Sequence, residues 1–579
     1  MCSSTSVIDS GRGIEPGLKP IANGMEPRPA PDGLVPGKSC TEVFRRFRGY
    51  GCFTLISGSW LEPGIGSVHS DRCPPQARSL IMAKTMNDEM AECDLPDYSD
   101  YEPNVDDLGL FKRSVERWHA DFAFRDRYHE DREKALAEVG LEEIDPDDLD
   151  ILVFKKQARE ATNGQRPLSE ICAEYRRFIH VKMKHAKQVR DSSPVDDRYR
   201  RWRQRMINSG VFSQGVAKFE KVVHAPFAVE LCRGCTVNCW FCGVDAAEYE
   251  GYIPFNDSTE TLWREILGAF RGVMGQEFAQ HGFCYWATEP FDNPDYEKFI
   301  DVFHDELGYL PQTTTAVAMR DPERTRRLLE FTKTRNAFVQ RFSVTTKKDF
   351  NLIHEYFDPE ELLLVELIPQ FENRASPKAT AGRTRKVVME RLETGKKVPF
   401  RYDLEQTGSI ACVSGFLVNL PERNIRLITP CRATDRWPLG YRILAETGFE
   451  TGEDVEKFIQ ECIEHRMPQA LEPEDPVGLL HPDTTTIDVI SDTSFAIVGG
   501  GMKITLDGVE GARDFADRLC AGARTLEEFV EGRMELGFDA MDTLLTMNRV
   551  FRTGTLRDPD DWEQVNSETV PLSITAAGS

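Results

Sequence analysis

Cys232, Cys235, Cys239 and Cys242 place four of the chain's 15 cysteines within eleven residues. The last three are spaced C-x3-C-x2-C in a loop that contains Gly234. Three thiolates this close can occupy three corners of a cubane iron–sulfur cluster and leave the fourth iron open to a substrate or cofactor. Counting Cys232 gives C-x2-C-x3-C-x2-C, four thiols that could hold zinc. Structural zinc sites, however, pair two knuckles a dozen or more residues apart, because one short loop wraps a tetrahedron poorly. Ferredoxin loops run C-x2-C-x2-C-x3-C, a spacing this stretch does not match. Cys232 itself reads as a strand-end thiol outside the cluster.

The loop needs a strand before it, and the apolar run FAVEL (227–231) supplies one. Beyond it, patterns of helical and strand period alternate. Helices are expected at 258–274, 295–307 and 321–334, and strands at 281–290, 309–319, 337–346 and 362–369. Such alternation predicts a parallel α/β sheet whose ligand sites lie at the strand carboxyl ends. A loop following the first strand is at that end.

Cys235-x3-Cys239-x-Phe241-Cys242 resembles the signature of the radical S-adenosylmethionine (SAM) family, C-x3-C-x-aromatic-C. The resemblance implies a partial (β/α)6 barrel and a [4Fe–4S] cluster on Cys235, Cys239 and Cys242. It also implies SAM on the open iron, Phe241 against the adenine, and reductive cleavage of SAM to a 5′-deoxyadenosyl radical. The electron comes from an external flavodoxin- or ferredoxin-like donor. Ala287-Thr-Glu289-Pro290 resembles the family's Gly-Gly-Glu-Pro motif, with Ala and Thr in place of the glycines. By that likeness Glu289 binds the SAM amino group; read alone, it is a helix N-terminal carboxylate. Arg341 and Ser343 alternate with apolar neighbours and share a strand face. They are similar to family residues that touch the SAM carboxylate and ribose, with core or rim roles left open.

The longer stretch ELCRGCTVNCWFCGVDA and the later TPCRATDRWPLGY resemble the radical SAM peptide epimerases of the polytheonamide (proteusin) type. These convert L- to D-residues in a ribosomally made, leader-bearing precursor peptide. The likeness extends over about 98–450. The helical stretch 108–150 looks like a precursor leader, and 483–556 loosely resembles a winged-helix leader-recognition element. The GGG within it reads as a hairpin turn rather than a phosphate loop. Inversion by radical chemistry needs hydrogen removed from one face and returned to the other, and a thiol can return it. Cys431 follows an apolar strand and opens a polar loop, which makes it the expected donor, with Cys412 the alternative. Cys284 lies within a strand, and Cys462 and Cys520 look like core residues of helices. The other outcomes considered are thioether or C–C crosslinking, C-methylation, and a zinc-stabilised peptide-binding adaptor.

Across all 579 residues, 71 Lys and Arg stand against 95 Asp and Glu, a net charge of −24. That balance argues against a nucleic-acid partner. No apolar run approaches the roughly 18 residues of a membrane span. An odd number of scattered cysteines fits reduced thiols in the cytoplasm. Residues 1–97 mix Gly, Pro and small polar residues, an expected disordered extension or mis-called start with Met82, Met86 or Met90 as alternatives. Cys2, Cys40, Cys52 and Cys73 would then have no chemistry. The expected regions after it are helical over 98–222, the core over 223–450 and a peptide-recognition part over 451–579. The basic run from Lys182 to Arg205 reads as a solvated helix face or as a contact surface for an acidic peptide.

Overall fold

Aspartates set at intervals through one long periodic stretch break it into short helices. The computed structural model describes residues 95–557 apart from 97, 220–221, 336, 338, 372–378, 399–401, 403–407 and 483. Residues 1–94, with the candidate starts and Cys2, Cys40, Cys52 and Cys73, lie outside the described residues. Asp121 accepts from the Phe124 amide, Asp131 from Lys134 and Asp145 from Asp147. These caps satisfy amides that a helix start leaves orphaned, so Phe122–Glu130, Arg132–Ala137 and Pro146–Val153 each begin afresh. Phe111, Trp118, Phe124, Tyr128 and Leu136 pack together as their shared core.

The basic run lies on helices Glu170–Asp191 and Asp197–Gln214. The expected solvated face holds only in part. Arg203 is buried and donates to the carbonyls of His224 at 2.9 Å and Arg190 at 3.1 Å. Arg205 is buried too, donating to the Pro468 carbonyl at 2.7 Å with its guanidinium over the Phe551 ring. Lys182 pairs with Glu366 at 2.7 Å. Lys182 thus ties its helix to the strand Val365–Pro369, and Arg203 and Arg205 are buried against carbonyls rather than presented to a peptide.

The fold beyond is mixed α/β. Strands β1 (Ala225–Glu230), β2 (Cys232–Arg233), β3 (Gly251–Tyr252), β4 (Thr314–Thr315), β5 (Gln340–Val344) and β6 (Val365–Pro369) come first. Then follow β7 (Val413–Asn419), β8 (Asn424–Pro430) and β9 (Tyr441–Gly448). One sheet has the order β1-β7-β8-β9, with β1 and β7 parallel and the rest antiparallel; another is parallel β4-β5-β6. Helices Asp257–Met274, Tyr296–Leu307, Pro322–Lys333 and Lys347–Tyr356 run between these strands. Alternation along β1 sorts its faces. Phe227 stacks on Phe270 of the first of these helices, with ring centres 3.9 Å apart, while Ala228 packs with Phe283, Leu417 and Ile428 on the other side.

Two expected strands are much shorter than their patterns. Residues 281–290 contribute one parallel bridge, Ala228 to Phe283, and 309–319 one bridge, Leu310 to Ala337, and the two-residue strand Thr314–Thr315. Side chains take over the hydrogen bonds a ladder would make. Gln312 donates to the Val339 carbonyl, Gln340 accepts from the Thr313 amide, and Glu230 accepts from the Ala287 amide.

The C-terminal part is an antiparallel meander of β10 (Thr485–Ser491), β11 (Ser494–Gly499) and β12 (Met502–Asp507), followed by helices Ala512–Ala521, Leu526–Met534 and Ala540–Arg552. Gly500 and Gly501 both have positive φ, 59° and 86°, and join β11 to β12 as a two-residue hairpin turn. The Gly500 carbonyl accepts from Val216 at 2.8 Å, and a Cβ there would lie 2.1 Å from the Val211 oxygen, so the tip docks closely. Cys462 is buried as expected, and Cys284 is buried too, but Cys520 is exposed. Its helix buries Ala512, Phe515, Ala516 and Leu519, and the next position turns about 100° away from that stripe. Among the described residues no helix is long and apolar enough to cross a membrane.

Candidate functional site

The cysteine loop leaves the carboxyl end of β1 and is closed at its neck by the short β2–β3 ladder. Gly234, at φ 68°, is required there, because a Cβ would lie 2.0 Å from the Glu248 carbonyl oxygen. Asn238 and Asp245 also take the left-handed conformation, at φ 49° and 51°. Arg383 fixes the curl from outside. It donates to Asn238 Oδ1 at 2.6 Å, to the Cys239 carbonyl at 3.0 Å and to the Ala246 carbonyl at 2.5 Å. Asp292 braces the near side, accepting from the Thr236 amide at 2.8 Å and from Arg320 at 2.7 Å. Neither Arg383 nor Asp292 carries a spacing signal in the sequence.

Cys235, Cys239 and Cys242 are all half-buried. The Val237 amide points at Cys235 Sγ at 3.4 Å and the Ala246 amide at Cys242 Sγ at 3.3 Å. Amides aimed at sulfur are what an iron–sulfur cluster's thiolates require, so the loop fits that group. Among the described residues no three His, Cys, Asp or Glu side chains converge as ligands of one ion. Burial pushes the Cys235 thiol up to about 11, with Glu289 and Asp292 adding to it against the Val237 amide. Burial does the same to Cys239, also to about 11, helped by Cys235, Cys242 and Glu289. Metal binding at such thiols displaces protons. Phe241 stands edge-on to the exposed Trp240, ring centres 5.4 Å apart.

Glu289 is buried and fully engaged by its own chain. Its carboxylate accepts from Thr315 Oγ1 at 2.6 Å and from the Ala316 and Phe291 amides at 2.9 and 3.2 Å. Burial outweighs these donors and raises it to about 7. It thus fastens the turn at 287–290 to the end of β4. Glu230, overlooked in the sequence because it reads as one polar residue in an apolar strand, does the companion work. It accepts from the Ala287 amide at 2.9 Å and from Asn419 Nδ2 at 3.0 Å.

Burial lifts Glu230 from 4.5 to about 7. Between those values the folded chain holds a proton that the unfolded chain releases. Its contribution to stability is therefore complete below pH 4.5 and is lost as pH rises to about 7. In Glu230→Gln that loss disappears. Urea unfolding of both forms from pH 4.5 to above 7 is expected to show the wild type losing up to about 3 kcal/mol relative to the variant. Parallel profiles would show that Glu230 is not the titrating group.

A cavity of about 290 Å³ opens where β4 and β5 end, lined by Val237 of the cysteine loop, Thr315 to Arg320, Ser343 and Asp349. Ser343 thus borders the same space as the loop. Arg341 does not, being held by Glu366 at 2.9 Å and Gln312 at 3.1 Å. Lys182 and Arg341 overcome burial and hold Glu366 down to about 2.

Cys431 follows β8, and its amide donates to the Gly440 carbonyl at 3.0 Å. Because β8 runs antiparallel to β7, this end of the sheet is the amino end of β1, opposite the point where the cysteine loop departs. The loop folds back toward it through helix Gly382–Glu393. The Arg383 amide donates to the Cys242 carbonyl at 2.8 Å and the Gly382 amide to the Pro438 carbonyl at 2.7 Å. Cys412 lies at the start of β7 and packs in the same apolar cluster as Cys242. It borders a cavity of about 100 Å³ with Arg341 and Tyr285, and burial raises its thiol to about 11 against the pull of Arg341.

Neither a family model nor a solved structure matches the chain significantly. Over 381 residues it is 36% identical to the uncharacterized protein y4wI of Sinorhizobium fredii, an alignment spanning 64% of this chain and 72% of that protein. The chain belongs to the same family as y4wI.

Proposed function

We propose that the chain is a radical SAM enzyme that inverts L-residues to D-residues in a ribosomally made precursor peptide. The observation that carries this reading is the loop Cys235-x3-Cys239-x-Phe241-Cys242 at the carboxyl end of β1, with amides aimed at two of its sulfurs. The cavity beside Val237 and Ser343 supports it, as do the parallel strands, which suit a partial (β/α)6 barrel. The meander and three helices at the C-terminal end suit a winged-helix-like peptide-recognition region.

When bound, a [4Fe–4S] cluster with SAM supplies the 5′-deoxyadenosyl radical that removes an α-hydrogen. Cys235, Cys239 and Cys242 would hold the cluster, and Arg383 and Asp292 keep their loop in shape. Phe241 would lie against the adenine, and Ser343 would border the cofactor through the cavity it lines with Val237. Glu289, tied to Thr315 and Ala316, fixes the cavity wall and reaches SAM only through oxygens already sharing those donors. Arg341, held by Glu366, orients the strand face rather than the cofactor. Cys431 would return a hydrogen atom from its thiol, and the thiyl radical left behind would take one further electron and a proton to restore the thiol; an external flavodoxin- or ferredoxin-like protein would supply that electron as well as the one that cleaves SAM.

Co-expression with peptides encoded beside the gene tests the outcome. Inversion leaves the peptide's mass unchanged in H2O and adds a deuterium at each inverted residue in D2O. Loss of hydrogens, or gain of methyl groups, would replace inversion with crosslinking or C-methylation.

A further inference from the structure

The two sides of the cysteine loop differ in charge. On the near side the charges match one to one, Asp292 with Arg320 at 2.7 Å. On the outer side Asp245 accepts from Arg383 at 3.2 Å and also from Lys386, so two cations share one carboxylate. Arg383 is the inner of the two, its side chain 22% exposed against 69% for Lys386. The guanidinium cannot swing away, because Asn238 Oδ1 and the Cys239 and Ala246 carbonyls hold it as well as Asp245. Nor can it shed its charge by losing a proton.

The backbone adds to the same field. Helix Gly382–Glu393 begins against the loop: the Arg383 amide donates to the Cys242 carbonyl at 2.8 Å, and a Cβ on Gly382 would lie 2.4 Å from the Gly243 oxygen. The end that meets the loop is therefore the amino end, the positive end of the helix dipole. Reducing an iron–sulfur cluster adds one electron and one negative charge. Fixed positive charge beside it favours the reduced form, most strongly where water is excluded. We propose that Arg383 is a positioning residue with a second role, its fixed charge, set against Asp245, raising the reduction potential of the cluster that Cys235, Cys239 and Cys242 hold. The cluster rests on the radical SAM reading above, but the charge effect does not depend on what is done to the peptide.

The test is an EPR-monitored redox titration of the full-length protein, reconstituted anaerobically with iron and sulfide, without SAM or peptide. Arg383→Gln should favour the oxidised cluster by about tenfold at a given potential, a fall of about 59 mV in the midpoint. Asp245→Asn should move the midpoint up by a similar amount. Asn also tolerates the left-handed backbone at φ 51° and leaves Arg383 its three other acceptors. Arg383→Lys keeps the charge without the fork and should stay within about threefold of the wild type. A merely structural role would lower iron content in the variants without sending their potentials in opposite directions. No downward shift in Arg383→Gln, or no upward shift in Asp245→Asn, overturns the proposal. So does a fall in Arg383→Lys as large as in Arg383→Gln, which would assign the effect to the fork's shape. If Arg383→Gln assembles no cluster, Asp245→Asn decides: an upward shift supports the proposal and its absence overturns it. A wild type that takes up no iron refutes the radical reading and this inference together; a reducible wild-type cluster with unshifted variants refutes this inference alone.

Discussion

Cys239→Ala, and equally Cys235→Ala or Cys242→Ala, should abolish both iron loading and SAM cleavage, while Cys232→Ala keeps both. Anaerobically purified wild type is expected to be brown, with absorption at about 400 nm and roughly four irons per chain. It should release 5′-deoxyadenosine from SAM when reduced. The three thiols share one loop whose curl is fixed by Gly234, Asn238 and Asp245 in left-handed backbone and by the Arg383 fork. Cys232 is buried in β2, and burial raises its thiol to about 12, the position of a core side chain. A colourless, zinc-loaded wild type would sink the radical reading and leave a peptide-binding adaptor. Loss of iron in Cys232→Ala to the same degree as in Cys239→Ala would extend the ligand set to four and close the cluster to SAM.

The parts of the fold written locally were legible. The helix expected at 258–274 runs Asp257–Met274, because Asn256 caps it and Leu262, Trp263, Ile266, Leu267 and Phe270 recur on one face. The cysteine loop was legible from spacing alone. The strands at 281–290 and 309–319 were overcalled because apolar alternation does not reveal that Gln312, Gln340 and Glu230 replace the ladder's hydrogen bonds. Glu230 and Asp292 escaped notice because each acts on backbone some 56 or 57 positions away. The cavity of about 500 Å³ beside Cys431 was invisible for the same reason: Arg385, Arg442, His481 and Arg557 meet there only in three dimensions. Conversely, the basic run that stood out in the sequence is partly internal, with Arg203 and Arg205 bound to carbonyls. Charge density along a chain reports composition, and only folding decides which cations share a space.

Cys431→Ala is expected to separate the two halves of the chemistry: 5′-deoxyadenosine still forms, but no inverted residue accumulates. The distinction from the cluster variants is what gives the test its force. Without a cluster thiol nothing starts, whereas without the donor the α-hydrogen is removed and nothing returns it to the opposite face. Two thiols compete for the role. Cys412 packs with Cys242 in one apolar cluster, which brings it near the loop, but the cavity it borders is only about 100 Å³. Cys431 borders about 500 Å³ and is linked to the same loop through Gly382 and Arg383. Access by a peptide therefore favours Cys431, and Cys412→Ala should invert its substrate at close to the wild-type rate. Because a thiol hydrogen exchanges with solvent, the wild type and Cys412→Ala should both place deuterium at the inverted carbon in D2O. If Cys412→Ala alone lost that label, hydrogen return would come from inside the sheet. Peptide would then have to enter between β1 and β5, where Ala225, Arg341 and Cys412 line the smaller cavity.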